Sequence, residues 1–164
     1  MTRLKQPKQA LSLPDYQSLA DLRYQIRRFL HFSEQAARKA HLEPGQHQLL
    51  LALKGLPTGL RPSIGVLAQR LQIEPHSALE LANRLARGEF VERRRADDDR
   101  REVLLNLTAK GERVLRQLSL HHRAELRNAG PALMAAVEAV LGDGKARSRR
   151  RSESNGQRRV RRDK

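Results

Sequence analysis

Apolar side chains recur at every third or fourth position along the first long segment of the chain. This spacing is typical of an amphipathic helix, and Leu13-Pro14-Asp15 suits its first turn, where a proline leaves no hydrogen bond unmade. A helix of about 25 residues is long for a chain of this size, so we expect one end of it to pack against another subunit. Its apolar positions are Tyr16, Leu19, Leu22, Ile26, Phe29, Leu30 and Ala37.

The next patterns predict a helix-turn-helix. An apolar run over Gln48–Leu53 predicts a helix that follows a Pro-Gly break, and a turn-rich stretch then leads to Ser63, a typical N-terminal cap. A short helix is predicted over Ile64–Leu71, and Pro75 separates it from a second helix that covers about His76–Arg87. The second helix is expected to bury Ala78, Leu81, Ala82 and Leu85.

Two runs of β-forming residues follow, over Phe90–Arg93 and Val103–Leu107, and the charged stretch Arg94–Glu102 joins them as a loop. Helix, turn, helix and a two-stranded hairpin with a charged tip predict a winged helix-turn-helix. This arrangement places one helix in the major groove of DNA and a loop beside it. The predicted fold class is therefore mainly α (α+β), with a two-stranded wing.

The C-terminal third contains two further helical patterns and a basic tail. Thr108 is expected to cap a helix that ends at Ala129-Gly130-Pro131, and a last helix is expected over Pro131–Leu141. Residues 142–164 contain one apolar residue larger than alanine, so we expect a disordered tail. The predicted organisation is a flexible arm over 1–12, a single domain over 13–141 and this tail. Within the domain, helices over 13–42 and 108–141 flank a winged-helix region over 43–107.

Several of these segments together resemble the MarR (multiple-antibiotic-resistance regulator) family, over residues 13–141. The resemblance rests on Leu67-Ala68-Gln69-Arg70-Leu71, on the helix Ser77–Leu85 and on the run Asp99–Gly111, where an acidic-then-basic wing ends in a Leu-Thr-x-x-Gly step into a long helix. The sequence departs from the family pattern at Glu89, where the family usually has glycine and where glycine lies one position early. It also departs in the unusually acidic wing tip, Ala96–Asp99.

The resemblance implies a bacterial-type transcription regulator, a repressor that binds a pseudo-palindromic operator as a homodimer. The helices over 13–42 and 108–141 would then be dimerisation helices that interdigitate between subunits. A small phenolic or anionic effector would enter the cleft between these helices and the DNA-binding region and release the DNA. Candidates for lining that cleft, which can equally be ordinary core or surface residues, are Tyr16, Tyr24, Arg27, His31, Phe32 and His47.

The charge of the chain favours a nucleic-acid partner. Lysine and arginine number 33 against 18 acidic residues, which gives a net charge of +15 and a pI near 11.4. Residues 145–164 contribute +8 of this charge and the other 144 residues +7, so the folded region is itself basic. The absence of cysteine excludes disulfides and thiol-based sensing. Without a membrane-spanning run or a signal-peptide pattern, we expect a cytoplasmic protein with no membrane partner.

The polar face of the second helix of the helix-turn-helix and the wing supply the candidate DNA contacts. The amides at the start of that helix favour phosphate, and along it Asn83 can pair with adenine and Arg84 with guanine. Glu80 either accepts a hydrogen bond from cytosine or pairs with Arg84, four residues on. The resemblance favours Arg101, then Arg100, for the minor groove, although the wing arginines can instead neutralise Asp97–Asp99. The full set is His76, Ser77, Leu79, Glu80, Asn83, Arg84, Arg87, Arg94, Arg95, Arg100 and Arg101.

Catalytic and metal-binding patterns are not apparent in the sequence. There is no nucleophile elbow or phosphate-binding glycine loop, and the adjacent His121 and His122 would point about 100° apart on a helix. We therefore expect no enzyme, cofactor or metal site. Two alternatives to a regulator stay open: a non-specific architectural nucleic-acid-binding protein that uses the Arg-rich tail, and a dimeric interaction scaffold whose charge only gives solubility.

Overall fold

The computed structural model describes residues 11–96 and 102–160, and over 143–160 it describes the backbone alone. The elements in chain order are α1 (Leu13–Lys39), α2 (Pro44–Lys54), α3 (Ile64–Leu71), α4 (Pro75–Arg87), β1 (Val91–Arg95), β2 (Val103–Leu107) and α5 (Ala109–Val160). The predicted mainly helical fold with a two-stranded wing is confirmed. None of the described helices is both long and apolar enough to cross a membrane.

Local capping sets the starts of the helices. The amide and hydroxyl of Ser12 donate to the carboxylate of Asp15 at 2.6 and 2.7 Å and hold the first turn of α1. Pro44 and Pro75 occupy the first turns of α2 and α4, where proline is favoured. The hydroxyl of Ser63 accepts a backbone amide at 3.4 Å at the start of α3, so its predicted role as a cap is confirmed.

The wing is an antiparallel pair in which Val91 lies opposite Leu107 and Arg95 lies opposite Val103. A separate bridge joins Ser63, just before α3, to Leu104 on β2. The second strand therefore lies between β1 and the turn that starts the helix-turn-helix. The core beneath these elements contains leucines with no exposed surface from α2, α3, α4 and β2, namely Leu49, Leu50, Leu67, Leu85 and Leu105.

The chain divides into two compact units. One consists of His31–Ala124 and contains the whole winged helix, and the other contains the described parts of Met1–Leu30 and Glu125–Lys164. In this second unit, many large apolar side chains are exposed. They are Leu11, Leu13, Tyr16, Leu19, Tyr24, Ile26, Leu30, Leu126, Met134, Val137 and Leu141.

The C-terminal helix departs furthest from the prediction, because α5 passes through Pro131 without a break and continues to Val160. A proline inside a helix removes one hydrogen bond, but the residues that flank this one are mainly strong helix formers such as alanine, leucine and arginine. Beyond Gly144, alanine, lysine, arginine and glutamate favour a helix without needing a buried face. The predicted disorder is therefore wrong for the backbone of 142–160.

Smaller corrections concern the helix-turn-helix and the wing. α4 begins at Pro75 rather than His76, since proline suits the first helical position, and Leu81 is only half buried. β1 begins at Val91 and ends at Arg95, so Arg94 and Arg95 belong to a strand rather than to the predicted loop. The predicted arm over 1–10, the wing tip over 97–101 and the end of the tail over 161–164 lie outside the described residues.

Candidate DNA-binding surface

Helix α4 presents one polar face because its other face is buried in the core. Ala78, Ala82 and Leu85 are fully buried, and the small alanine side chains let α4 lie close to its neighbours. The seven predicted contact residues of this helix all lie off that buried stripe. His76, Leu79, Glu80 and Arg87 are exposed, whereas Ser77, Asn83 and Arg84 are half buried.

Arg84 is held by carboxylates on two helices. Its guanidinium donates to Glu43, next to the start of α2, at 2.8 and 3.0 Å, and to Glu80, one turn earlier on α4, at 2.5 Å. The hydrogen bond to Glu80, followed by the charge of Glu43, raises the pKa of Arg84 above its ordinary value. Of the two alternatives for Glu80, pairing with Arg84 is therefore the one present in this structure.

Asn83 is also engaged by a protein side chain. Its Oδ1 accepts a hydrogen bond from a terminal nitrogen of Arg93 on β1 at 2.5 Å. This contact ties the middle of α4 to the first wing strand and occupies the amide oxygen that adenine would need. Glu43, a partner of Arg84, and Arg93, the partner of Asn83, were not among the predicted site residues.

A concave groove lies at the amino-terminal ends of α3 and α4. It has a volume of about 380 Å³ and is lined by Ser63, Ile64, Gly65, Pro75, His76, Leu79, Glu102 and Val103. Arg61 pairs with Glu102 at 2.9 Å at the base of the wing. Leu79 and His76 therefore meet the groove from α4, where an apolar side chain and an imidazole are available to a base edge.

The wing places its arginines on two faces. Side chains alternate along a strand, so Arg93 and Arg95 share one face of β1 and Arg94 lies on the other. Because Arg93 contacts Asn83, the face that bears Arg95 is the one turned towards α4. Arg100 and Arg101, the predicted minor-groove residues, lie outside the described residues.

The Leu-Thr-x-x-Gly step fixes the wing against the end of α4. Thr108 donates from its hydroxyl to the carbonyl of Glu89 at 2.7 Å and accepts the amide of Gly111 at 3.1 Å. A Cβ on Gly111 would lie 2.0 Å from the carbonyl oxygen of Phe90, so only glycine fits here. Glu89 itself has a φ of 59°, a left-handed conformation that glycine adopts more easily than other residues. The glycine of this sequence, Gly88, lies one position earlier.

The predicted effector residues are divided between the two units. Tyr16, Tyr24 and Arg27 belong to the unit with the chain termini and are exposed. His31, Phe32 and His47 belong to the winged-helix unit, where His31 is exposed. Phe32 and His47 both contact the ring of His122, which was not among the predicted effector residues. No cluster of three or more metal-ligating side chains occurs within residues 11–96 and 102–160.

Comparisons with known proteins agree with this architecture. The model of the MarR family matches residues 42–102. AbsC, a MarR family transcriptional regulator from Streptomyces coelicolor, is 19% identical, with 87% of this chain and 99% of that chain covered at a TM-score of 0.67. No curated protein matches the sequence.

Two further similar structures concern regulation by a small molecule and binding to DNA. BpsR of Bordetella bronchiseptica, whose DNA binding is regulated by 6-hydroxynicotinic acid, is 20% identical over 79% of this chain and 98% of its own, with a TM-score of 0.59. A mutant of MepR from S. aureus, bound to an oligodeoxyribonucleotide, is 18% identical over 85% of this chain and 96% of its own, with a TM-score of 0.54. At these identities the likeness concerns the fold.

Proposed function

Because residues 42–102 belong to the MarR family and the chain has the fold of its transcription regulators, we propose that this protein is a homodimeric repressor that binds a pseudo-palindromic DNA operator. The observation that supports this most directly is α4, which buries one face and turns the other outwards beside an arginine-bearing wing. In each half-site α4 lies in the major groove and the wing in the minor groove. The likeness to transcription regulators agrees with a DNA-binding role rather than catalysis, and we propose that the protein acts in the cytoplasm.

The α4 residues differ in whether a contact within the protein already engages them. His76, Leu79 and Arg87 are exposed and reach base edges or phosphates first, and Ser77 offers its hydroxyl and amide to a phosphate at the start of the helix. Asn83, Arg84 and Glu80 must exchange a hydrogen bond within the protein before they contact DNA. The wing supplies Arg94, Arg95, Arg100 and Arg101.

We propose that a second copy of the chain covers the exposed apolar side chains on α1 and on the part of α5 between Leu126 and Leu141. Leu13 and Leu141, for example, are 70% and 65% exposed, which is a poor environment for leucine in water. Dimerisation through these helices would bury them. Light scattering at micromolar concentration tests this assignment: a stable monomer contradicts it.

A small organic effector is proposed as the signal that releases DNA. BpsR, with the same fold, has its DNA binding regulated by 6-hydroxynicotinic acid, an aromatic acid with a hydroxyl group. In this chain, two of the predicted effector residues, Phe32 and His47, both contact the buried ring of His122. Tyr16, Tyr24, Arg27 and His31 remain predicted members of the site.

The rival function is non-specific DNA packaging, favoured by the +8 charge of residues 145–164. Selection of bound fragments from genomic DNA separates the two functions. We expect a shared inverted repeat among the fragments and an affinity at least about a thousandfold higher than for scrambled DNA. Equal affinity for both DNAs at every salt concentration would favour the packaging function.

A further inference from the structure

A pair of buried histidines lies where three helices meet in the winged-helix unit. His47 on α2 is 1% exposed and His122 on α5 is 8% exposed, and their ring centroids are 4.8 Å apart with the planes tilted by 37°. Phe32 on α1 packs edge-on against His122 at 6.1 Å. The DNA-contact set does not use this pair, although it joins α2 of the DNA-binding region to the two long helices.

The surroundings of the pair disfavour a positive charge. The Nε2 atom of His47 is buried and has no hydrogen-bond partner among the described residues, and burial, helped by the nearby His122, lowers the pKa of His47 to about 4. Burial also lowers the pKa of His122, and a hydrogen bond that its ring donates to the Ser33 backbone raises it in part. Burial therefore disfavours the charged form of both rings.

The nearby charges do not change this conclusion. His121 lowers the pKa of His122 further by repulsion. Glu34 on α1 is engaged with Arg38 at 3.8 Å rather than with the pair. The titratable or charged residues on the adjoining stretches of the three helices are His31, Glu34 and Arg38 on α1, Lys54 on α2, and Arg116, His121, Arg123 and Glu125 on α5.

We propose that the His47–His122 pair is a proton-driven latch that holds α2 against α5 when both rings are neutral and releases it when a proton enters the pair. The proposal rests on the proposed function, because release is expected to weaken operator binding. An opened junction exposes the rings to water, where a proton binds without the cost of a buried charge. A closed junction must keep both rings neutral.

Proton linkage gives the pH range of the latch. In an opened state His47 has its ordinary pKa of 6.5, whereas in the packed state its pKa is about 4. Since the opened state binds the proton more tightly, falling pH favours opening by up to about tenfold per pH unit for the first proton. The effect begins below pH 6.5 and saturates near pH 4, where the packed ring is also protonated. The second proton adds less because the two rings repel each other.

Movement of α2 reaches the DNA-binding helix through direct contacts. A Cβ built on Gly45, in the first turn of α2, would lie 3.1 Å from a side-chain methyl of Leu81 on α4, so this side chain packs directly on the backbone of α2. Glu43 also holds Arg84 of α4. A shift of α2 therefore displaces α4 from its place beside the wing. The two α4 helices of the proposed dimer then no longer fit the two half-sites of one operator.

The expected loss of operator affinity in acid is opposite in direction to the general effect of pH on the attraction between protein and DNA. Acid generally adds positive charge to a protein surface, and added positive charge strengthens binding to phosphates. Without a latch, mild acid should therefore tighten DNA binding. A loss of operator affinity over the same range is the opposite of that trend.

The test measures operator affinity of the full chain between about pH 7.5 and about pH 5.5 at constant ionic strength. The wild type should lose up to about fivefold in affinity between about pH 6.5 and about pH 5.5, and His47→Gln should lose less than about twofold. His121→Gln, which removes the exposed neighbouring imidazole, should lose as much as the wild type. If His47→Gln does not fold, His122→Asn takes its place with the same expectation. Unchanged or tighter wild-type binding in acid, or an equal loss in the variant, would overturn the latch.

A measurement without DNA keeps the latch separate from the proposed function. Amide hydrogen exchange, corrected for the intrinsic effect of pH, should show faster opening of α2 and the adjoining part of α5 at about pH 5.5 in the wild type but not in His47→Gln. Exchange that is equal in the two proteins refutes the latch. Acid-driven opening in a protein that binds no DNA at any pH would leave the latch standing and refute the operator-binding function.

Discussion

The two arginines of α4, Arg84 and Arg87, differ in their ion pairs within the protein. Arg84 shares its guanidinium between Glu43 and Glu80, whereas Arg87 is exposed in the last turn and forms no ion pair with a carboxylate among the described residues. A guanidinium that approaches DNA from a carboxylate pair must first give up those contacts. The exposed cation has no such competition, so we expect Arg87 to be the stronger DNA contact of the two.

This difference predicts unequal effects of two matched substitutions. Arg87→Gln should weaken operator binding and reduce the slope of log affinity against log salt by about 0.9, the effect of one lost phosphate contact. Arg84→Gln should change that slope less and should leave the midpoint of unfolding nearly unchanged, because its ion pairs are largely exposed. Affinities at three salt concentrations check both. Loss of preference at one base pair in Arg84→Gln would instead assign Arg84 to guanine.

A single backbone conformation at the start of the wing predicts a stabilising change. Glu89 has a φ of 59°, which crowds the Cβ of any residue except glycine. Glu89→Gly should therefore raise the free energy of unfolding by up to about 1 kcal/mol, after the greater chain entropy of glycine in the unfolded state is counted. Glu92→Gly on β1, where the backbone is extended, should lower it. Urea unfolding of both variants measures this, and a less stable Glu89→Gly would contradict the strain.

At the scale of elements, the step from β2 into α5 is the least tolerant junction. Gly111 lies against the carbonyl oxygen of Phe90, so Gly111→Ala must move the backbone of the wing, and we expect it to cost about 2–3 kcal/mol of unfolding free energy. Gly130→Ala is the matched control, because no atom lies within 4 Å of its Cβ position and alanine favours the helix by about 1 kcal/mol. Thermal unfolding compares them. Equal stability of the two variants would contradict the close contact.

The same scale shows what the sequence could predict. The capping role of Ser63, the start of α1 at Leu13 and the extent of β2 follow from local signals, and each is confirmed. The end of the last helix was wrong because burial was weighed above the helix propensity of arginine and alanine. The partners of Arg84 were beyond reach, since Glu43 lies 41 residues away and hydrophobic periodicity has no information on such pairs.

At the scale of the whole molecule, affinity and selectivity for DNA are expected to come from different segments. Helix α4 and the wing have defined positions against a buried core, which direct readout of bases requires. The C-terminal segment instead concentrates charge, with ten basic residues among its last twenty. Charge that contacts phosphates rather than base edges strengthens binding to any sequence, so the two contributions should be separable by truncation.

Removing the basic segment after Gly144 should weaken binding to operator and scrambled DNA by similar factors. A helical stretch over 145–160 spans about 24 Å, enough to follow several phosphates beside the operator. Each lost phosphate contact lowers the salt slope by about 0.9 for both DNAs, and the ratio of their affinities should stay nearly unchanged. Replacing the four arginines of 147–151 by glutamine keeps the length and is the matched control, expected to give part of the same loss. If truncation abolishes the affinity ratio itself, the discrimination that we assign to α4 belongs to the C-terminal segment instead.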